Sequence, residues 1–457
     1  MESNASINKS IKLQINKSPY EKIHLLIHLT FYIALVMSSA SSESMSNTMV
    51  SLAIALYFVF ASPKEHFYFL VGFAPFELLA RTGDISFYFV FLLISSAKLI
   101  LKNINKGYNK QGIIALCGLV LLEALGDLQG SSLGSFVVNV CTIFYFAIFL
   151  MKAELVSFTV KRILTNFYIS FFTVVVYVVS GYGSIGEFFD MVTAGITVVR
   201  FGHEEAIAVG GAMGIPLYSA LLVSMSVSYY MTENRVEVLE KVWIFVACIA
   251  ASAVGIFTIS RSFILCMTVW FLMVFVSLIE KKRKRVALII IIIICVSTFI
   301  YIKNADLINQ LIENFIFRES NDMGVGSRGE IWVSCLTYLF EHPLGLLFGY
   351  GISRYSEIGE SLNLLFSAKA HNLYIDTIMS VGLLGFMSFC ILIDILKKKL
   401  SRGFSKRVTV ISIIPIVVLL TFGWTALTLS NFKTWIYILM VIIFAYALYG
   451  YPDREEK

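Results

Sequence analysis

KKRKRVALIIIIIICVSTFIYIK, residues 281–303, decides how this chain folds. A basic run, Lys281-Lys282-Arg283-Lys284-Arg285, is followed by uninterrupted apolar sequence from Val286 to Ile302. An apolar run of that kind reads as a helix crossing a bilayer, and a cationic run beside one stays on the cytoplasmic side. The segment that follows, from about Lys303 to His371, is therefore expected on the opposite face. It is the one long polar-studded stretch in a chain otherwise made of apolar windows, and it carries arginines and a histidine. A protein that exposes its largest loop in this way is expected to act on something there.

Composition agrees. The chain has 457 residues, of which 58% are hydrophobic and only 14% charged. A soluble domain of this length needs more polar surface, so soluble classes are excluded. A membrane β-barrel is excluded too, because its strands would alternate over about ten residues instead of running unbroken. The net charge of +6 calls for no acidic partner and no nucleic acid, since cytoplasmic loops of multispanning proteins collect Lys and Arg. Six of the seven cysteines (Cys117, Cys141, Cys248, Cys266, Cys295, Cys390) lie in apolar windows, and Cys335 lies in the long loop. Their scatter suggests neither a disulfide framework nor a metal cluster. The polar start to about Lys22, the apolar run Leu25–Met37 and Ser38-Ser39-Ala40 resemble a signal sequence; an uncleaved first helix is favoured because later spans depend on its orientation.

The expected fold is all-α integral membrane, with about 14 transmembrane helices. The windows lie near 24–40, 47–61, 66–80, 85–101, 112–127, 132–151, 163–181, 212–230, 242–260, 262–279, 286–302, 372–396, 408–426 and 434–450. They group into N-terminal helices (1–162), central helices (163–302) with an outer segment near 183–211, the large loop (303–371) and C-terminal helices (372–457). Alternation from a cytoplasmic N-terminus puts Lys102, Lys106 and Lys110, then Lys152, Lys161 and Arg162, then Lys281–Arg285, then Lys397–Arg407 all inside. Within the outer loop a short amphipathic helix is expected over Glu330–Glu341, stopped by Pro343, with Ile331, Trp332, Leu336, Leu339 and Phe340 facing the membrane interface. No internal repeat is visible.

Four groups fall on the outer side: Arg200, Arg261, Arg328 and His371. Arg261 occupies a tight turn, Thr258-Ile259-Ser260-Arg261-Ser262, at a depth where a guanidinium is costly unless it meets an anion or carbonyls. The plainer alternative is an arginine snorkelling to the interface. Arg200, followed by Glu204 and Glu205, reads equally as a solvated loop arginine. Arg328, in Ser327-Arg328-Gly329-Glu330, opens the amphipathic helix, whose N–H groups favour anions. Guanidinium forks suit a pyrophosphate, each charged hydrogen bond contributing roughly 1.5–3 kcal/mol. With outer acids scattered, neither a metal nor a cofactor is assigned. His371, in Ala370-His371-Asn372-Leu373-Tyr374, has the chemistry of a general base; the alternative is a helix-capping interface histidine. His24 and His28 are spaced i, i+4, but two ligands do not hold a metal. Glu77, Glu123 and Asp376 are acids within spans.

The wording of these segments resembles the bacterial O-antigen polymerase/ligase superfamily over roughly residues 180–390. The resemblance rests on His371-Asn372-Leu373-Tyr374 with Gly382-Leu383-Leu384-Gly385, on Ser327-Arg328-Gly329-Glu330-Ile331-Trp332, on His342-Pro343-Leu344-Gly345 with Gly349-Tyr350-Gly351, on Ser260-Arg261, and on Arg200-Phe201-Gly202. After Arg200 the family's Pro-Asn is replaced by Glu204-Glu205-Ala206. The resemblance implies a GT-C-like architecture and an inverting, metal-independent glycosyltransferase of the bacterial inner membrane, its site facing the periplasm. Donor and acceptor would be undecaprenyl-diphosphate-linked glycans, with a chain-length regulator and a flippase as further partners. By that likeness His371, Arg261 and Arg328 would be catalytic, Arg200, Arg261 and Arg328 would hold diphosphate, and Asn372, Glu330 and Tyr374 would support them. A polymerase is favoured over a ligase that transfers to lipid A-core or protein. A polysaccharide flippase is the rival from another class, though it would have short loops and related halves.

Overall fold

The computed structural model describes residues 17–40, 44–82, 85–105, 107, 109–127, 133–153, 158–181, 186–187, 209, 211–233, 236–258, 260–280, 325–351, 358, 370–401, 410–425 and 432–449. Arg200, the window 286–302 and most of the long loop lie outside the described residues. The elements are α1 (Lys17–Ala40), α2 (Ser44–Phe60), α3 (Pro63–Phe73) with a 3-10 turn Ala74–Phe76, β1 (Arg81–Thr82), β2 (Ile85–Ser86), α4 (Tyr88–Lys102), α5 (Lys110–Asp127), α6 (Leu133–Lys152) and α7 (Val160–Gly181). There follow α8 (Gly211–Thr232), α9 (Val238–Phe257), α10 (Arg261–Glu280), α11 (Val325–Glu341), α12 (Pro343–Phe348), α13 (Leu373–Ser401), α14 (Val410–Thr425) and α15 (Phe432–Tyr449).

Among the described residues, each expected window except 66–80 coincides with a helix. The reason is local: in lipid each backbone group must be satisfied within its own segment, and only a helix does so. Among the described residues, five helical stretches are long and apolar enough to cross a membrane: Pro19–Ser39, Val160–Gly181, Val238–Phe257, Arg261–Leu278 and Leu373–Ile395. Helix α9 turns Val242, Trp243, Phe245, Val246 and Ile249 outward, a face suited to acyl chains and not to water. The window 66–80 departs from expectation. Its helix ends at Phe73, and the chain closes into the small antiparallel hairpin β1–β2 before α4.

Contacts between helix ends respect the alternation read from the basic clusters. At one end Lys152 Nζ donates to Asn103 O at 3.2 Å, Arg162 pairs with Glu65 at 3.3 Å and Ser228 Oγ donates to Ile411 O at 2.8 Å. At the other, Lys433 meets Glu77 at 3.8 Å and Thr425 Oγ1 donates to Ser262 Oγ at 2.7 Å. Each contact joins residues that the alternation assigns to one face.

Helix α11 begins at Val325, earlier than the expected Glu330, and ends at Glu341; Pro343 then opens α12. The proline restarts the chain because its missing N–H costs nothing in a first helical turn. The apolar face of α11 does not lie wholly at an interface as expected. Cys335 and Leu339 are buried with Ile331 and Trp332 in a small second core against Ile375, Ile378 and Met379 of α13, whereas Val333 and Phe340 face outward.

Helix α13 is broken. Gly382 has φ 66° and ψ −175°, and Gly349, just after α12, has φ 76° and ψ −175°. The two glycines abut: a methyl on Gly382 would stand 2.4 Å from Leu347 O, and one on Gly349 2.3 Å from Ser380 O. At the break, Met379 O accepts from Tyr350 N at 2.9 Å and Ser380 O from Gly351 N at 2.8 Å. Gly351 in turn leaves no space beside Gly126 of α5. The Gly349-Tyr350-Gly351 segment thus replaces the intrahelical partners α13 gives up at its kink.

Candidate active site at the helix starts

Helix α10 starts at Arg261. Ser260 precedes it as a cap, its Oγ accepting from Phe263 N at 3.4 Å while its carbonyl accepts from Ile264 N at 3.2 Å. Arg261 is half-buried. Its neighbour Ser262 takes the hydrogen bond from Thr425, the last residue of α14.

His371 stands two residues before α13 and has φ 50°, the one positive φ among described non-glycine residues. Left-handed backbone costs an L-residue about 1–2 kcal/mol, so it persists where surrounding bonds dictate it. They are visible here. Asn372 Oδ1 caps α13, accepting from Tyr374 N at 3.0 Å and Ile375 N at 3.3 Å. Asp376 Oδ1 accepts from Ala370 N at 3.1 Å, and Trp332 Nε1 donates to Ala370 O at 3.0 Å. The residues on both sides of His371 are therefore pinned, one to α13 and one to α11 as well. Asn372 holds the turn; its amide oxygen is spent on the cap.

The last turn of α14 joins the two groups. Trp424 packs on Trp332 with ring centroids 6.1 Å apart and on Tyr374 at 5.8 Å. Tyr374 Oη donates to Leu420 O at 3.4 Å, and Leu373 lies so close to Gly423 that a methyl there would come within 3.1 Å of it. Thr425 reaches the other way to Ser262. Ser262, next to Arg261, and Leu373 and Tyr374, two and three residues after His371, accordingly meet the same segment Leu420–Thr425 at one end of the bundle. Arg261 opens α10 and His371 stands just before α13, so both lie at helix starts.

Arg328 is in α11, one helical turn before Trp332, and Glu330 is in the same helix; their side chains lie outside the described residues, as does Arg200 entirely. Tyr374 is half-buried. Sequence reasoning missed Trp424, and it noted Asp376 without its bond to Ala370. A tryptophan ending an apolar window and an acid in a helix's first turn were the available signals.

The fold is that of a multi-pass helical membrane protein. Residues 246–390 match the family model described as O-antigen ligase (Wzy_C), which places this segment in the O-antigen polymerase/ligase superfamily of glycosyltransferase-like enzymes. The match spans Arg261, Arg328, His371, Asn372 and Tyr374 and leaves Arg200 outside. No curated protein matches the chain.

Proposed function

We propose that the protein is a metal-independent, inverting glycosyltransferase that polymerises undecaprenyl-diphosphate-linked repeat units on the periplasmic face of the bacterial inner membrane. The observation that supports this reading is the joining of two facts. The family match covers Arg261, Arg328 and His371, and Ser262 and Tyr374, beside Arg261 and His371 in the chain, both contact the last residues of α14.

In this mechanism His371 takes the proton from an acceptor sugar hydroxyl. The freed oxygen attacks the anomeric carbon of the donor, the bond from that carbon to the diphosphate breaks, and its electron pair leaves with undecaprenyl diphosphate. The anomeric centre inverts. The leaving group gains one negative charge, which Arg261 and Arg328 meet with guanidinium forks, helped by Arg200; each charged hydrogen bond is worth roughly 1.5–3 kcal/mol. The left-handed turn fixes the imidazole against movement along α13, as a base must be placed before its substrate arrives. Glu330 and Tyr374 support the site, and the architecture is of the GT-C type with 14 spans.

A ligase is the second reading, favoured by the description of the matched model. Gel analysis of surface polysaccharide from a deletion strain separates them: single-repeat product follows loss of a polymerase, unattached polymer loss of a ligase. Alanine at His371 or Arg261 should abolish long chains while the protein remains inserted. Normal chains in either variant would end the assigned role.

A further inference from the structure

At the bundle end opposite the candidate active site, α1, α2, α3 and α7 enclose a buried group of polar side chains that the proposed reaction does not use. His24, His28 and Glu65 are all buried, and each offers one ligand atom within 4.8 Å of the other two. We propose that these three residues, with the Tyr57 hydroxyl as fourth donor, form a structural binding site for a divalent transition ion of the zinc class.

Four observations carry this. The two histidines are spaced i, i+4 on α1, so one face of the helix presents both rings. The Tyr57 hydroxyl lies 2.8 Å from His24 Nδ1 and 2.8 Å from His28 Nε2, which brings the fourth donor between the two histidines. The His28 tautomer is set from outside. Asn166 Nδ2 donates to Arg162 O at 2.9 Å, which turns Asn166 Oδ1 toward His28 Nδ1 at 2.7 Å. That oxygen only accepts, so Nδ1 carries the proton and Nε2 keeps its lone pair toward the cluster. Such an outer hydrogen bond is how ligating histidines are commonly oriented. Finally, Arg162 Nη2 holds Glu65 Oε2 at 3.3 Å, leaving the carboxylate a second oxygen and fixing its direction.

Two imidazoles, a carboxylate and a phenol oxygen suit a four-coordinate ion with bonds of about 2.0–2.2 Å. Donors around such an ion stand about 3.4 Å apart, so on loading the His24, His28 and Glu65 ligand atoms draw together while the Tyr57 hydroxyl, 2.8 Å from each histidine nitrogen, moves outward. The charge also balances: Tyr57 releases its phenol proton to solvent on binding, and the resulting phenolate and the Glu65 carboxylate offset the ion, with Arg162 still paired to Glu65. Four donors, three of them buried and Tyr57 half-buried, describe a closed, structural site that ties the first helix to α2 and α3.

The test uses full-length protein purified in detergent, stripped with chelator and titrated with Zn2+ and, separately, with Co2+. One equivalent should bind, with a tetrahedral Co2+ absorption spectrum, and Zn2+ should raise the thermal unfolding midpoint. His28→Gln and Glu65→Gln, which keep side-chain shape, should weaken binding at least tenfold and lose the Zn2+-dependent midpoint shift. Wild-type protein that binds neither ion stoichiometrically would overturn the proposal. So would a His28→Gln protein that folds and gives the same spectrum and midpoint shift. A variant that fails to fold leaves the wild-type stoichiometry and spectrum to decide.

Discussion

Substituting Gly382 by Ala tests whether the break in α13 is part of the working site. The backbone there, φ 66° and ψ −175°, belongs to a region that is essentially glycine's, and residues held in such conformations cost of order 1–3 kcal/mol. The new methyl would stand 2.4 Å from Leu347 O and 2.6 Å from Gly349 N, both main-chain atoms that cannot rotate aside. The cheapest escape is for α13 to close into continuous helix. Met379 O and Ser380 O would then take partners within the helix and release Tyr350 N and Gly351 N, two bonds of about 1 kcal/mol each. Keeping the break therefore costs about 1–3 kcal/mol of backbone strain besides the clash, and closing it costs about 2 kcal/mol in released bonds. The loop segment after α12 would be expelled, and with it the support that α11 gives to Ala370 beside His371. Misplacement by an ångström costs about 10²-fold in rate. The assay is glycan length on a gel beside thermal unfolding in detergent. Gly118→Ala serves as control, since its methyl meets only Ser388 Oγ at 3.3 Å and gains up to about 1 kcal/mol of helix propensity. A Gly382→Ala protein with wild-type chain lengths and an unchanged midpoint would refute this account of the break.

Other outcomes follow from the same contacts. Arg261→Lys keeps the charge and loses the planar fork, so transfer should fall at least tenfold while insertion is unaffected; initial rates with purified lipid-linked donor measure it. Trp332→Phe removes the indole donor to Ala370 O and keeps an aromatic ring, and should lower turnover with little change in unfolding midpoint. Asp376→Leu leaves Ala370 N without its carboxylate acceptor and should cost about 1–3 kcal/mol, whereas Asp376→Asn retains an acceptor oxygen and should be mild; comparing their thermal midpoints checks this. Arg162→Met strands a buried carboxylate at Glu65 and should destabilise by about 3–5 kcal/mol, with the double change Arg162→Met, Glu65→Gln recovering part of the loss in denaturation experiments.

The linear order of residues was enough to define the membrane class, most of the helices among the described residues and the ends at which those helices meet, because each span satisfies its own backbone and each basic cluster marks a side. It also singled out Arg261 and His371, since a charged or titratable group at the end of an apolar run is conspicuous without any knowledge of its neighbours. Tertiary structure alone decided the rest, and the reason in each case is contact between residues far apart in the chain. The turn at His371 takes its shape from Trp332 and Asp376, and Gly382 departs from helix because the backbone at Leu347–Gly349 presses on it. In sequence, His24 and His28 were a pair short of a ligand; folding supplied Glu65 and Tyr57 from the next two helices. Periodicity and composition report what a segment does by itself, and none of these partners belongs to the segment it completes.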